Sequence, residues 1–303
     1  MVSKVQKLLR AASSPRARHG LAALMATAAL GLAAAPAHAA KPIKIGVIAP
    51  ASAIDGKSIF NGAELAAQQI NANGGIDGRQ IKLIKYDDHA SASDGVRAFQ
   101  RAARQDHVVA VVGNFISEVA LAIEPWAARL KMPYVITGAA STKLNKNVGN
   151  HWPAYKYIYM ENLNSYFLAK NVCDASHDIL VNELHYKTAV IMRENAAWTK
   201  PLGAEYKKCL PEAGLKVLKE IVFSPDTNDF TPIYSNIKKL NPDVIITGIA
   251  HVGVKPTVQW HNQQVPVFLG GWSSQAGAST FWNATNGATE GVMTGNLGAG
   301  DAT

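Results

Sequence analysis

Short apolar, β-branched runs alternate with longer amphipathic segments along most of the chain. Strands are expected at 43–49 (IKIGVIA), 80–86 (QIKLIKY), 107–113 (HVVAVVG) and 132–137 (MPYVIT). A second series is expected at 187–192 (KTAVIM), 215–223 (LKVLKEIVF), 242–248 (PDVIITG) and 265–270 (VPVFLG). Between strands the period changes. Phe60, Ala63, Ala67 and Ile70 share one helical face, and Ile233, Ile237 and Leu240 repeat at i, i+4 and i+7. Thr231 is placed to cap that second helix, and Pro232 suits its first turn. Strands alternating with helices of this length predict βαβ units and parallel sheets.

The rhythm breaks once, at HWPAYKYIYMENLNSY (151–166), where aromatics, Pro153 and polar residues interrupt it. A boundary between two α/β lobes is expected there. Ligands of open parallel sheets bind beyond the carboxyl ends of the strands. The loops to watch are therefore 50–57, 113–117, 137–142, 194–198, 248–253 and 270–274.

The N-terminus changes the reading of charge. Residues 1–20 carry Lys4, Lys7, Arg10, Arg16 and Arg18 and no acid. Leu21 to Ala35 is apolar but shorter than the roughly 20 residues a membrane span needs, and PAHAA follows with small residues at Ala37 and Ala39. Basic, apolar and A-x-A regions in this order predict a secretory signal peptide over 1–39, cleaved after Ala39. The whole chain has 30 Lys and Arg against 22 Asp and Glu, a formal +8; five of the cations and none of the acids precede residue 40, so the remainder carries +3. With that excess removed, no nucleic-acid partner is expected. Cys173 and Cys209 would meet an oxidising compartment, where pairing is permitted, but their spacing leaves open a disulfide or two separate thiols.

The stretch ASAIDGKS (51–58), between a strand and a helix, reads as a loose Walker A pattern. Ala51 stands in place of the first glycine, and neither HVVAVVG nor PDVIITG ends in an Asp that would hold magnesium. The loop is read instead as an edge of a ligand cleft, and no cofactor is expected.

At these loops the chain resembles a known family. GVIAPASAIDGKSIFNGAELAAQQINANGGIDGRQIKLIKYDD (46–88), VVGNFISEVALAIEPWAARLKMPYVITGAAST (111–142), SPDTNDFTPIYSNIKKLNPDVIITG (224–248), VFLGGWSS (267–274) and GATEGVMTGN (287–296) are together similar to type I periplasmic substrate-binding proteins, above all the Leu/Ile/Val receptors of ABC importers. The resemblance implies two doubly wound, Rossmann-like lobes with parallel central sheets, joined by a hinge. Lobe 1 is expected over 40–157 and lobe 2 over 158–290, with 291–303 crossing back toward lobe 1. It implies a periplasmic, monomeric receptor that captures a small organic solute and delivers it to an ABC importer permease. Presentation to a membrane sensor, or a secreted enzyme, is the alternative. Relatives continue past the strand expected at EGVMTGN, so the chain is expected to be a fragment with lobe 1 incomplete.

Residue by residue, Ser117 opens a helix whose free N–H groups favour a carboxylate, and in the family this position helps to hold one. Ala139 and Ser141 match the family's Ala and Thr ligand contacts. Trp198 falls where many relatives carry a Tyr that closes over the ligand, and its flat face suits an apolar or aromatic group; Tyr166 and Trp152 are weaker candidates. Relatives that bind α-amino acids place an acid after the strand DVIITG, whereas GIAHVG here holds Ala250 and His251. Since a buried, unpaired ammonium is costly, either Glu194 or Glu161 substitutes, or the ligand is an organic or aromatic carboxylate, or an amide, with His251 donating to it. Asp87, Asp88 and Asp229 read as caps or loop-ordering acids. No HExxH or GxSxG pattern occurs, so no catalytic or metal residues are expected.

Overall fold

The computed structural model describes residues 41–295; the expected signal segment (1–39) and residues 296–303 lie outside them. Among the described residues, nine strands form two separate, wholly parallel sheets. The strands are β1 Ile43–Ala49, β2 Ile81–Asp87, β3 Ala110–Gly113, β4 Tyr134–Ile136, β5 Ile158–Met160, β6 Thr188–Glu194, β7 Lys216–Phe223, β8 Val244–Ile249 and β9 Phe268–Ser273. The helices are α1 Ile54–Ala72, α2 Ala92–Arg104, α3 Ser117–Leu130, α4 Thr142–Asn150, α5 Trp152–Tyr155, α6 Ser165–Ala175, α7 Thr199–Glu212, α8 Thr231–Leu240, α9 Val254–Asn262 and α10 Phe281–Ala284. The first sheet runs β2-β1-β3-β4-β5 and the second β7-β6-β8-β9. In each, the earliest strand sits inside, the next goes to the edge, and the order then reverses. This doubly wound pattern puts a switch point between β1 and β3 and another between β6 and β8.

Interior strands are apolar because both of their faces are covered. Val47, Ile48 and Ala49 have no exposed surface, nor do Val244, Ile245 and Ile246. Several apolar clusters pack around them, of which two are the largest. One gathers Phe99, Ile123, Tyr134 and Leu144, the other Leu202, Tyr206, Leu210 and Ile246.

Four local features differ from expectation. The first sheet takes a fifth strand from Ile158–Met160, beyond residue 157 where the first lobe was expected to end. The last strand is not 265–270 but Phe268–Ser273, because Val267 turns back onto the Val265 carbonyl (2.8 Å) and pairing with β8 begins only at Phe268. That shift carries Trp272 and Ser273 to the carboxyl end of the sheet. GATEGVMTGN supplies no strand among the described residues, although Met293 and Gly295 donate their N–H groups to Leu269 and Gly271 along β9 (3.0 and 3.2 Å). Finally, Thr231 does not cap α8: Asp229 Oδ1 accepts the Thr231 N–H (2.9 Å). Ser91 likewise caps α2 in place of Asp87 or Asp88. Asp87 orders its loop by accepting from Ala51 and His89, and Asp88 by accepting from Ala90 and Asn114.

The cysteines, whose pairing the spacing left open, form a disulfide that ties α6 to α7 with Cα atoms 5.9 Å apart.

Candidate functional site

Parallel strands and their following helices leave N–H groups unpaired at the carboxyl edge of a sheet. In the second sheet the residues just beyond β6 and β8 exploit this. Arg193 pairs with Gly248 across the two strands, so the next residues on each emerge together. Glu194, with no exposed surface, turns its carboxylate into the loop after β8. Its Oε2 accepts the N–H groups of Ala250 (3.1 Å) and His251 (3.0 Å). Its Oε1 accepts from Trp198 Nε1 (2.9 Å) and from His251 Nδ1 (2.6 Å). Four donors fill the acceptor sites of a carboxylate.

Burial works against a charge on His251. The hydrogen bond and negative charge of Glu194, aided by Glu118 and Asp55, outweigh it and raise the ring's pKa above the usual histidine value. Asp55, in the first turn of α1, shows the opposite balance. Burial raises its carboxyl to about 6, partly offset by its own backbone N–H and by His251, and reinforced by Glu194.

Asp55 and His251 border a cavity of about 300 Å³ at the carboxyl ends of both sheets. Phe115, Leu168, Trp198 and Trp272 provide apolar wall, and Asp55 and His251 provide charge. Thr137 and Asn162 complete a polar side whose atoms are left over: Asp55 Oδ2, Thr137 Oγ1 and Asn162 Oδ1 are buried without a protein partner. The Asn162 amide is oriented by its own donors, which bond the Ala139 and Leu163 carbonyls (3.3 and 3.1 Å), so the unpartnered atom is an acceptor. Across the two sheets' loops, Glu118 Oε1 accepts the Ala197 N–H (2.6 Å), and the Ser165 hydroxyl is shared between the carbonyls of Ala140 (2.7 Å) and Trp198 (2.6 Å).

Among the residues expected to bind ligand, Trp198 and His251 border the cavity, and Glu194 lies behind them, joining the two. Ser117, Ala139 and Ser141 are buried beside it and do not border it. Ser117 Oγ accepts the Ser141 N–H (3.1 Å), and Ser141 Oγ in turn caps α4 through Lys143 (3.3 Å). Tyr166 lies apart from the cavity, 44% exposed and edge-on to Phe167, and Trp152 is 56% exposed. Sequence reasoning passed over Asp55, Phe115, Asn162 and Trp272. Phe115 and Trp272 fall in loops already marked for attention, and Asp55 is the only acid of the loop 50–57. Gly56, which suggested a phosphate cradle, is needed for another reason: a Cβ there would collide with the Pro50 carbonyl.

With this geometry in view, residues 42–259 match the family of periplasmic binding proteins. An amino acid binding protein of Pseudomonas aeruginosa is 25% identical over 254 residues, which are 82% of this chain and 63% of that protein. The chain thus spans less than two thirds of that relative's length. Two solved structures share the fold. A branched-chain amino acid transporter substrate-binding protein from Streptococcus pneumoniae, in complex with isoleucine, superposes with a TM-score of 0.69 at 22% identity, covering 80% of this chain and 67% of that one. An ABC transporter solute-binding protein from R. palustris, in complex with benzoate, does so with a TM-score of 0.66 at 19% identity, covering 76% and 62%.

Proposed function

The chain belongs to the periplasmic binding protein family, and from that premise we propose that it is an exported receptor that captures a small organic solute between its two lobes and hands it to an ABC importer. The observation that carries the reading is the cavity at the carboxyl ends of both sheets, of a size at the lower end for small-molecule sites and mostly apolar, with a few convergent polar groups. Closure of the two lobes around the solute would select a closed form for the importer, since a ligand shifts the equilibrium by its differential affinity for the two states. The disulfide agrees with an oxidising, extracytoplasmic compartment.

Solved relatives hold isoleucine in one case and benzoate in another, so both chemistries are natural candidates. The second fits better here. Glu194 already accepts four hydrogen bonds and has none left for an α-ammonium, which would have to turn to Asp55 Oδ2 and Asn162 Oδ1. Trp198, Trp272 and Phe115 suit an apolar or aromatic body, and His251 suits a carboxylate or an amide oxygen.

A thermal-shift panel of branched-chain amino acids, aromatic and aliphatic carboxylates and small amides tests this. A true ligand at about 100 times its Kd adds ~2.7 kcal/mol, a rise of several degrees in Tm. Stabilisation by benzoate or 4-methylpentanoate is the expected result. A panel in which only leucine, isoleucine or valine stabilises would transfer the ligand to the amino acid class, with Asp55 as the acid beside its ammonium.

A further inference from the structure

The arrangement of Glu194 around His251 goes further than a polar contact in a cavity wall. Histidine has two ring nitrogens, and which one serves a ligand depends on what holds the other. Nδ1 is held by Glu194 Oε1 at 2.6 Å, and the same carboxylate fixes the main chain of Ala250 and His251 through their N–H groups. Ring and backbone are thus pinned by one buried group, leaving Nε2 as the nitrogen available on a residue that borders the cavity. The Trp198 indole hangs from the same oxygen, so one side chain sets both the cation and the aromatic wall.

We propose that Glu194 and His251 form an orienting dyad in which the imidazolium, held through Nδ1, donates from Nε2 to the carboxylate of the solute, so that capture requires a proton on His251. This rests on the receptor reading above and names the group that reads the solute's charge. Glu194 acts as a positioning residue, since its oxygens are occupied and none is free to touch ligand.

The charged groups acting on the ring are Glu194 from β6, Glu118 from α3 and Asp55 from α1, all acidic, and they favour the imidazolium. The sign of the pH effect follows. Below the raised pKa of His251 the ring is charged and the carboxylate binds tightly; above it the charge is lost and affinity falls. Asp55 adds a second limb of the same sign, because its ionisation near pH 6 places an anion beside the solute's own.

Titration calorimetry with benzoate and 4-methylpentanoate between pH 5.5 and 8.5 separates these limbs. The wild-type protein is expected to lose affinity with rising pH, by up to roughly tenfold per pH unit beyond the His251 midpoint. It should also take up protons on binding, read from buffers of different ionisation heat. Asp55→Asn should remove the limb near pH 6 and, with one acid fewer acting on the ring, move the His251 limb slightly to lower pH. Glu194→Gln keeps an acceptor for Nδ1 but removes the charge, so the remaining limb should move to lower pH. His251→Gln, which retains a neutral donor, should bind more weakly with no His limb.

A Glu194→Gln profile superimposable on the wild type would overturn the dyad, as would a His251→Gln protein that keeps the wild-type pH dependence. Should Glu194→Gln not fold, the His251→Gln profile decides alone. Binding of amino acids but of no carboxylate lacking an ammonium would leave the receptor standing and remove the dyad. Binding of nothing in the panel at any pH would remove both.

Discussion

Each lobe encloses one glutamate with no exposed surface, Glu124 in the first and Glu194 in the second, but the two meet different surroundings. Glu194 accepts four hydrogen bonds, two of them from backbone N–H groups. Glu124 accepts one, from Asn147 Nδ2 at 2.7 Å, and its Oε1 has no partner. The cause is position along the element. Glu194 ends a strand where neighbouring loops open and backbone donors are uncommitted. Glu124 lies past the first turn of α3, where the neighbouring N–H groups serve the helix's own carbonyls and the next residue, Pro125, has none to offer. A buried acid is supplied with donors at the ends of strands and starved of them within a helix. The site is built where the first situation holds.

The sharpest way to break this comparison is Glu194→Ala. The substitution strips acceptors from the Trp198 indole, the His251 ring and two backbone N–H groups at once. Breaking a buried pair of this kind costs about 3–5 kcal/mol, and urea denaturation should show it together with loss of solute binding. A loss below about 1 kcal/mol would mean that the four hydrogen bonds are energetically idle.

The lobes differ in a second respect. Both cysteines belong to the second, where the Cys173–Cys209 bridge staples α6 to α7. Closing a loop with a sequence separation of 36 constrains the unfolded chain by about 3–4 kcal/mol. Reduction should lower stability by that amount, and hydrogen exchange should accelerate first in α6 and α7. Equal acceleration in α2 and α3 would show that the two lobes unfold as one unit.

Much of the fold was legible because alternation of short β-branched runs with helical periods is a local property. What escaped was short or contextual. Ile158–Met160 has only three residues, of which Ile158 is buried and Tyr159 53% exposed, and it becomes a strand only because Tyr134 and Ile136 lie alongside. At the site, Trp198 and His251 could be named from their loops. The bond from the Ser141 N–H to Ser117 Oγ joins residues 24 apart, so nothing in either segment shows that the hydroxyl is already in use. Glu194 was visible as an acid near the cleft, but three of its four donors come from Ala250 and His251, 56 and 57 residues away in sequence, so its role as an orienting group emerges only when β6 and β8 are side by side.

Glu124 provides the smallest expected effect and the one most specific to the first lobe. Burial raises its carboxyl from the usual 4.5 to about 7, against the smaller opposing pulls of the Asn147 hydrogen bond and the Lys143 charge. An acid whose folded pKa is raised stabilises the protein least where the unfolded chain has already released its proton. Stability should therefore decline as pH rises from 4.5 to about 7, by on the order of 2 kcal/mol from this residue. Glu124→Gln retains an oxygen for Asn147 and cannot ionise. Relative to wild type it should be equal in stability near pH 4.5 and gain steadily to pH 7, beyond which the difference levels off. Parallel curves for the two proteins across that window would mean that Glu124 finds donors which the folded geometry withholds, and the contrast with Glu194 would then be one of position without consequence.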